Sequence, residues 1–511
     1  MKKPMPKSMK NVKTSKTTQQ ADSITRESRE RNELASSSDD QNDIIDYSDM
    51  QKPNKHNKFK IIAIITLVIL VVLAVAGWFR WRQYLADKAP VVITASTQVE
   101  NTKPAEIATG KIIEAQAVEN FNPAQALAII KQTNKAFDLA VNTATTKQLI
   151  KFTSSDGNVA DIGVYARVYA PAGAKNLPVI AFATGTTGIG DACAASLENP
   201  AKRDWANYDS LMMAYASQGY MVVLADYEGM RDAARMHHYM VGNIEGRTML
   251  DSIRALENLD TTKARVNKEA IFTAGYSQGG HAAFWADAIN QKYAPEIKLK
   301  GAIGFGPVTS VNETLTDAIT ANANINWFGP YVLTSYQDWY KRSYPVDKIL
   351  QPQFAKNLSV DAQRECIDTV NKYWPNNIGT NKSASVYTPE FIAAAKTGNL
   401  SSNKLYAQFD SDMKANIIGP IKTTTPKLIN QGLSDNVVLP KQSRAGYQRL
   451  CASGNSVNLV EYATSKYSVQ TYNPTGKADH YQTMNASFND TIAWANARIA
   501  GSALVNSCKP I

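Results

Sequence analysis

The chain has 511 residues, too many for one simple core, so it holds one large domain with an insertion, or two domains, besides its tails. Hydrophobic residues make up 44%, ordinary for a globular protein. Of the net charge of +10, the first 60 residues carry +4, from 13 Lys and Arg against 9 Asp and Glu. The rest is spread thinly, and the chain lacks zinc-finger spacing, an RNA-binding aromatic motif and a glycine-rich phosphate loop, so the composition argues against nucleic-acid binding.

Residues 1–60 are rich in Lys, Ser, Thr, Asp and Asn, and Tyr47 is the one aromatic in 1–55. Such a segment buries too little apolar surface to offset its ordering entropy, so a disordered cytoplasmic tail is expected. Residues 61–79, IIAIITLVILVVLAVAGWF, carry no charge. As a helix they span roughly 28 Å, about one hydrocarbon core. Lys58 and Lys60 flank one end, and Trp78, Arg80, Trp81 and Arg82 the other, as interface anchors do. The pattern predicts a transmembrane anchor over 61–82. A basic, short N-terminal tail places that tail inside and the large domain in the periplasm or outside the cell. The rival is a signal peptide cleaved after Ala76, which would release the domain. Aromatic and Arg residues continue past Ala76, which favours the uncleaved anchor. Residues 83–107 form a linker.

From about residue 148 short apolar runs alternate with helical stretches. VYARVYAP (164–171), LPVIAFATG (177–185), MVVLADY (221–227), AIFTAGYS (270–277) and KGAIGFGP (300–307) read as strands. NYDSLMMAYASQGY (207–220), RTMLDSIRALENL (247–259) and QGGHAAFWADAINQKY (278–293) read as helices. Continuous apolar runs separated by helices predict an α/β core with a mostly parallel sheet covered on both faces. The rhythm stops near Pro307 and returns at TPKLINQGL (425–433) and VNLVEYA (457–463). The core is therefore expected over 108–307 and 425–511, with a helical cap inserted at 308–424. Cap aromatics Trp327, Phe328, Tyr331, Trp339 and Tyr340 either line an acyl pocket or form the cap's own core.

The stretch GYSQGG places Ser277 where an apolar strand meets a helix. A sharp strand-to-helix turn there exposes the serine hydroxyl as a nucleophile, and the flanking glycines admit close backbone approach. A serine nucleophile needs a base. The chain has five His: His56, His237, His238, His281 and His480. In a strand–turn–helix site of this kind the order is Ser, acid, His. His56 lies beside the apolar span, and His237 and His238 precede the serine. His281 sits on the following helix and reads as a packing residue. His480 remains. Asp435, just past a later strand, is the favoured acid, ahead of Asp479 and Glu461. The oxyanion donors are expected to be the backbone N–H of Gln278 and one from the loop ATGTTGIGDAC (183–193), Thr187 first and Thr186 second. Cys193, Cys366, Cys451 and Cys508 have no metal-ligand spacing. An even number in an exported domain fits two disulfides, with three possible connectivities.

TGTTGIGDAC, SQGYMVVLADYEGM, GYSQGGHAAFWA, GLSDNVV and ADH together resemble the secretory lipase family of fungal lipase A-like enzymes and bacterial relatives. The resemblance spans residues 110–508. It implies an α/β-hydrolase core, a helical cap between nucleophile and acid, and ester hydrolysis on lipids without metal or cofactor. It also implies Ser277, Asp435 and His480 as triad, Thr187 and Gln278 as oxyanion donors, and the pairs Cys193–Cys366 and Cys451–Cys508. Thr184 departs from the family pattern, which often has His there, and so does the anchor, since typical members are freely secreted. Two rivals are a short-chain ester or amide hydrolase, because the triad chemistry is shared, and an inactive adhesion or scaffold protein on the same fold. A complete triad argues against the latter.

Overall fold

The computed structural model describes residues 109–133, 139–199, 205–263, 265–321, 325–374, 378, 382–463, 477–504 and 508. The expected tail, membrane anchor and linker lie outside the described residues. Among the described residues no helix is long and apolar enough to cross a membrane.

Among the described residues ten strands form one mixed sheet. They are β1 (Ile112–Ala115), β2 (Glu119–Phe121), β3 (Thr145–Ser154), β4 (Ile162–Pro171), β5 (Leu177–Ala183), β6 (Met221–Ala225), β7 (Val266–Tyr276), β8 (Leu299–Phe305), β9 (Lys427–Gly432) and β10 (Val457–Tyr462). Their spatial order is β1-β3-β4-β6-β5-β7-β8-β9-β10, with β2 also on β3. From β6 to β10 every neighbouring pair is parallel, while β1 to β4 pair antiparallel. The sequence pattern misses β1 to β3. The strand β3 carries Lys147, Gln148 and Lys151 among its apolar residues, and burial alternates from Lys147 to Phe152. An antiparallel edge region with one face near solvent lacks the continuous apolar run of a buried parallel strand.

The parallel strands are buried on both faces, and alternate residues divide between two clusters. Val179, Ala181 and Val223 meet Leu250 and Ile253 of α3 (Gly242–Asn258) and Ala282, Ala283 and Ala286 of α4 (Gln278–Tyr293). Ile180, Phe182, Val222 and Leu224 meet α1 (Pro123–Thr133), α2 (Tyr208–Ser217) and the C-terminal helix Phe488–Ile499 on the other face. The chain runs from β5 to β6 on one side, then returns to lay β7 on the other side of β5. Such a reversal opens a crevice at the carboxyl ends of the strands, where open α/β sheets bind ligands.

Between β8 and β9 the chain is helical, from α5 (Val311–Thr320) and α6 (Phe328–Trp339) through shorter helices to Ala407–Lys414. Their buried side chains form a third cluster that reaches Ile189, Tyr239 and Val241 of the loops and Ile244 of α3. Two disulfides close the fold, Cys193–Cys366 and Cys451–Cys508.

Candidate active site

The strand β7 ends at Tyr276, and Ser277 follows with φ 55° and ψ −112°. This conformation costs a non-glycine residue on the order of 1–3 kcal/mol and persists only where the surroundings over-determine it. Here they do. The Ser277 N–H donates to the Phe305 carbonyl at 2.9 Å. Its own carbonyl accepts from the N–H groups of Gly280, His281 and Val308 at 3.0, 3.3 and 3.2 Å. A Cβ on Gly275 would land on the Gly279 carbonyl, and one on Gly279 would land on the Ala183 carbonyl. Both positions therefore require glycine for close approach.

Asp435 lies in the loop after β9. Its Oδ1 accepts the N–H groups of Val437 and Val438, each at 2.9 Å, and its Oδ2 accepts from Gln431 Nε2 at 3.1 Å. The same Oδ2 lies 2.7 Å from His480 Nδ1, and His480 Nε2 lies 2.9 Å from Ser277 Oγ. The carboxylate therefore holds the ring with Nδ1–H donating to Asp435 and Nε2 free to accept the serine proton. All three residues are buried.

The other candidates are engaged elsewhere. Asp479 accepts the Gln482 N–H at 2.9 Å, capping the next helical turn, and burial raises its pKa. Glu461 pairs with Arg444 at 2.9 Å. His237 packs on Tyr227, and His238 bridges Glu228 and Asp338. His281, expected to be a packing residue, is instead hydrogen-bonded at both ring nitrogens, to Glu245 and to the Asn416 carbonyl. His56 lies outside the described residues.

Gly306 is a site residue that the sequence reading did not single out. It has φ +49°, and a Cβ there would lie 3.1 Å from both Asp435 Oδ2 and His480 Nδ1. The one signal was the Gly-Pro pair ending the strand KGAIGFGP.

Gln278 is the first residue of α4, so its amide has no acceptor within the helix. The loop carrying Thr187 leaves β5 at Ala183, which stands opposite Gly275 in the register with β7. Both expected oxyanion segments thus leave the same ends of adjacent strands. Thr187 is buried, its carbonyl accepts the Ile367 N–H at 2.9 Å, and its Oγ1 has no partner among the described residues. The Oγ1 of Thr186 is instead 2.8 Å from the Tyr239 hydroxyl. Thr184, the departure from the family pattern, is buried; its carbonyl accepts the Tyr227 hydroxyl at 2.5 Å, and its Oγ1 has no partner among the described residues.

Residues 205–507 match the model of the family described as Secretory lipase. The chain belongs to the secretory lipase family. A secreted triacylglycerol lipase, LIP2, of Malassezia globosa is 27% identical over 312 residues, 59% of this chain and 60% of that protein. The chain thus spans about 60% of the length of that curated relative. Two solved structures share the fold. An esterase, LipA, from Xanthomonas oryzae is 18% identical with a TM-score of 0.59, covering 78% of this chain and 97% of that one. Candida antarctica lipase A in its closed state is 20% identical with a TM-score of 0.54, covering 80% and 87%.

The cap aromatics divide. Trp327, Phe328 and Tyr331 are buried in the cap's own core, where Tyr331 stacks on Trp374 with ring centroids 5.8 Å apart. Trp339 and Tyr340 pack at its margin, and Tyr340 accepts from Asn416 Nδ2 at 2.8 Å. An open cleft of about 810 Å³ lies beside α6, lined by residues including Asp156, Arg235, His238, Asp338 and Trp339. Ser277, Asp435 and His480 are not among its lining residues.

Proposed function

We propose that this chain is a membrane-anchored, exported serine hydrolase that cleaves carboxylic esters of lipids. The observation that carries the reading is the hydrogen-bonded series Ser277 Oγ, His480, Asp435, with steps of 2.9 and 2.7 Å, on a strained turn after a parallel strand. Family membership supports the same chemistry, and the relative named a triacylglycerol lipase supports the lipid substrate. Ser277 Oγ attacks the ester carbonyl while His480 Nε2 takes its proton. Asp435 stabilises the imidazolium that forms. The oxyanion receives the N–H groups of Gln278 and Thr187. Collapse of the tetrahedral intermediate expels the alcohol, which takes the proton from His480. Water then attacks the acyl carbonyl as its proton passes to His480, and collapse of the second intermediate releases the acid while His480 returns the proton to Ser277 Oγ. The cap over 308–424, between core segments 108–307 and 425–511, selects the acyl chain. Residues 61–79 hold the enzyme at the membrane, with the domain outside the cytoplasm.

Ser277→Ala in the full chain, purified in detergent, is expected to lower hydrolysis of p-nitrophenyl esters by about 10⁴-fold or more at an unchanged melting temperature. Unchanged turnover overturns the assignment. Against esters of increasing chain length and emulsified triacylglycerol, activity should rise with acyl length and at the interface. Preference for short soluble esters would favour a carboxylesterase. A C-terminal reporter active only in the cytoplasm should stay dark.

A further inference from the structure

Beneath the nucleophile turn lie His237, Glu245, His281, Asn416 and the side chain of Gln278, none of which takes part in the proton transfers above. All are at most 3% exposed. Gln278 Nε2 lies 2.8 Å from Glu245 Oε1 and 2.9 Å from His237 Nε2. Burial, with His238 beside it, pushes the His237 pKa down to about 3, so its ring is neutral. Its Nδ1–H donates to the Glu228 carbonyl at 3.2 Å, and its Nε2 accepts from Gln278. Glu245 Oε1 also accepts the Met240 N–H at 3.1 Å. Its Oε2 is 2.6 Å from His281 Nδ1, and His281 Nε2 is 2.8 Å from the Asn416 carbonyl. Those last two contacts need two hydrogens, one between Oε2 and Nδ1 and one on Nε2. The Glu245–His281 pair is therefore neutral overall, whichever atom holds the first hydrogen.

So many buried polar groups are not explained by stability, because apolar residues of similar volume commonly serve as well. Besides the Met240 N–H and the Asn416 carbonyl, the network holds one side chain of the nucleophile turn. Both donors of the Gln278 amide are fixed, while its Oε1 has no partner among the described residues. Gln278 directly follows the strained Ser277. The surrounding glycines permit that strain but do not enforce the orientation of the 277–278 peptide.

We infer that Glu245 is a positioning residue which, supported by His281, grips the Gln278 side chain and so aims the Gln278 backbone N–H at the oxyanion. This rests on the reading of Ser277 as nucleophile and Gln278 as oxyanion donor. Glu245→Gln preserves each contact. Its amide oxygen accepts from Gln278 and Met240, and its NH₂ donates to a neutral His281, whose Nε2–H still reaches Asn416. Glu245→Ala releases Gln278.

The test uses the full-length enzyme below each variant's melting temperature. It measures kcat and KM on p-nitrophenyl butyrate, and affinity for an alkyl trifluoromethyl ketone, to which Ser277 adds to form a hemiketal oxyanion. Glu245→Ala should lower kcat about 10- to 100-fold with KM within about twofold, and weaken ketone binding in parallel. Glu245→Gln should restore both to within about threefold of the parent. Gln278→Met, close in volume and with the backbone N–H intact, should repeat the Glu245→Ala result and replaces it if that variant does not fold. Ketone affinity unchanged in these variants, with Ser277→Ala inactive, overturns the inference and spares the nucleophile. A Glu245→Gln enzyme as impaired as Glu245→Ala overturns it too. An active Ser277→Ala enzyme overturns the reading beneath it.

Discussion

The turn at residues 275–280 and the cap between α5 and Lys414 are specified in opposite ways. At the turn, the geometry depends on side chains that are missing. Gly275, Gly279 and Gly280 sit where any Cβ would meet backbone atoms or Pro307. In the cap, the geometry depends on bulk. Trp374, Tyr331, Tyr336, Tyr387 and Tyr406 are almost wholly buried and fill it. The first kind of site fixes a backbone path by leaving no room for an added carbon. The second holds a volume, which tolerates reshaping as long as it stays filled. The loop after β5 belongs to both. Thr187 accepts from Ile367, Cys193 is bonded to Cys366, and a Cβ on Gly190 would land on the Gln363 carbonyl. The expected oxyanion loop is thereby tied to the cap.

Three substitutions probe this contrast. The largest effect on stability should come from Trp374→Ala, which empties the centre of the cap. We expect a loss of about 3–5 kcal/mol in denaturant unfolding. A loss below about 1 kcal/mol would show that bulk does not specify the cap. Gly306→Ala should be milder in stability and sharper in chemistry. At φ +49° it should cost about 1–2 kcal/mol. Displacement of Asp435 and His480 by a few tenths of an ångström should lower kcat about tenfold with KM little changed. An unaltered kcat would mean that the triad has slack.

The smallest effect concerns His238, which joins the Glu228 loop to Asp338 of α6 at 2.9 Å on each side. Burial disfavours its charge, but Glu228 and Asp338 outweigh burial and raise its pKa above the ordinary imidazole value. Arg235 pairs with both Glu228 and Asp156, and Lys341 with Asp338, so three carboxylates face two fixed cations around the ring. A raised pKa stabilises the fold fully below about pH 6.5, and that contribution fades as pH rises through the folded value. His238→Gln should therefore be less stable than the parent by about 1 kcal/mol at pH 5.5, with the gap closing toward alkaline pH. A gap that widens with pH would refute the assignment of charge.

Much of the candidate site was legible because Ser277 and Asp435 stand just past strand ends and the chain is poor in histidine. The strand AIFTAGY, the glycines after it and the order Ser277, Asp435, His480 are all linear features. Gly306 was not, because its role arises only when the end of β8 is laid beside the loop after β9. His281 was misread for a related reason. A histidine four residues after Ser277 on an apolar helix looks like packing until Glu245, 36 residues earlier, is brought to 2.6 Å by the pairing of α3 with α4. The antiparallel strands β1 to β3 were hidden by their polar residues.

By itself the sequence determined the elements whose causes are local. The apolar runs made buried strands, the glycines allowed a strained turn, and residues 61–79 formed an uncharged stretch long enough to span a bilayer. The tertiary structure alone decided what meets what. It set His480 Nε2 2.9 Å from a hydroxyl 203 residues away, chose one of three cysteine pairings, and surrounded Gln278 with a buried polar network. The reason is one of range. Backbone preference and hydrophobic period act over a few residues, whereas these encounters depend on the order in which the strands join the sheet.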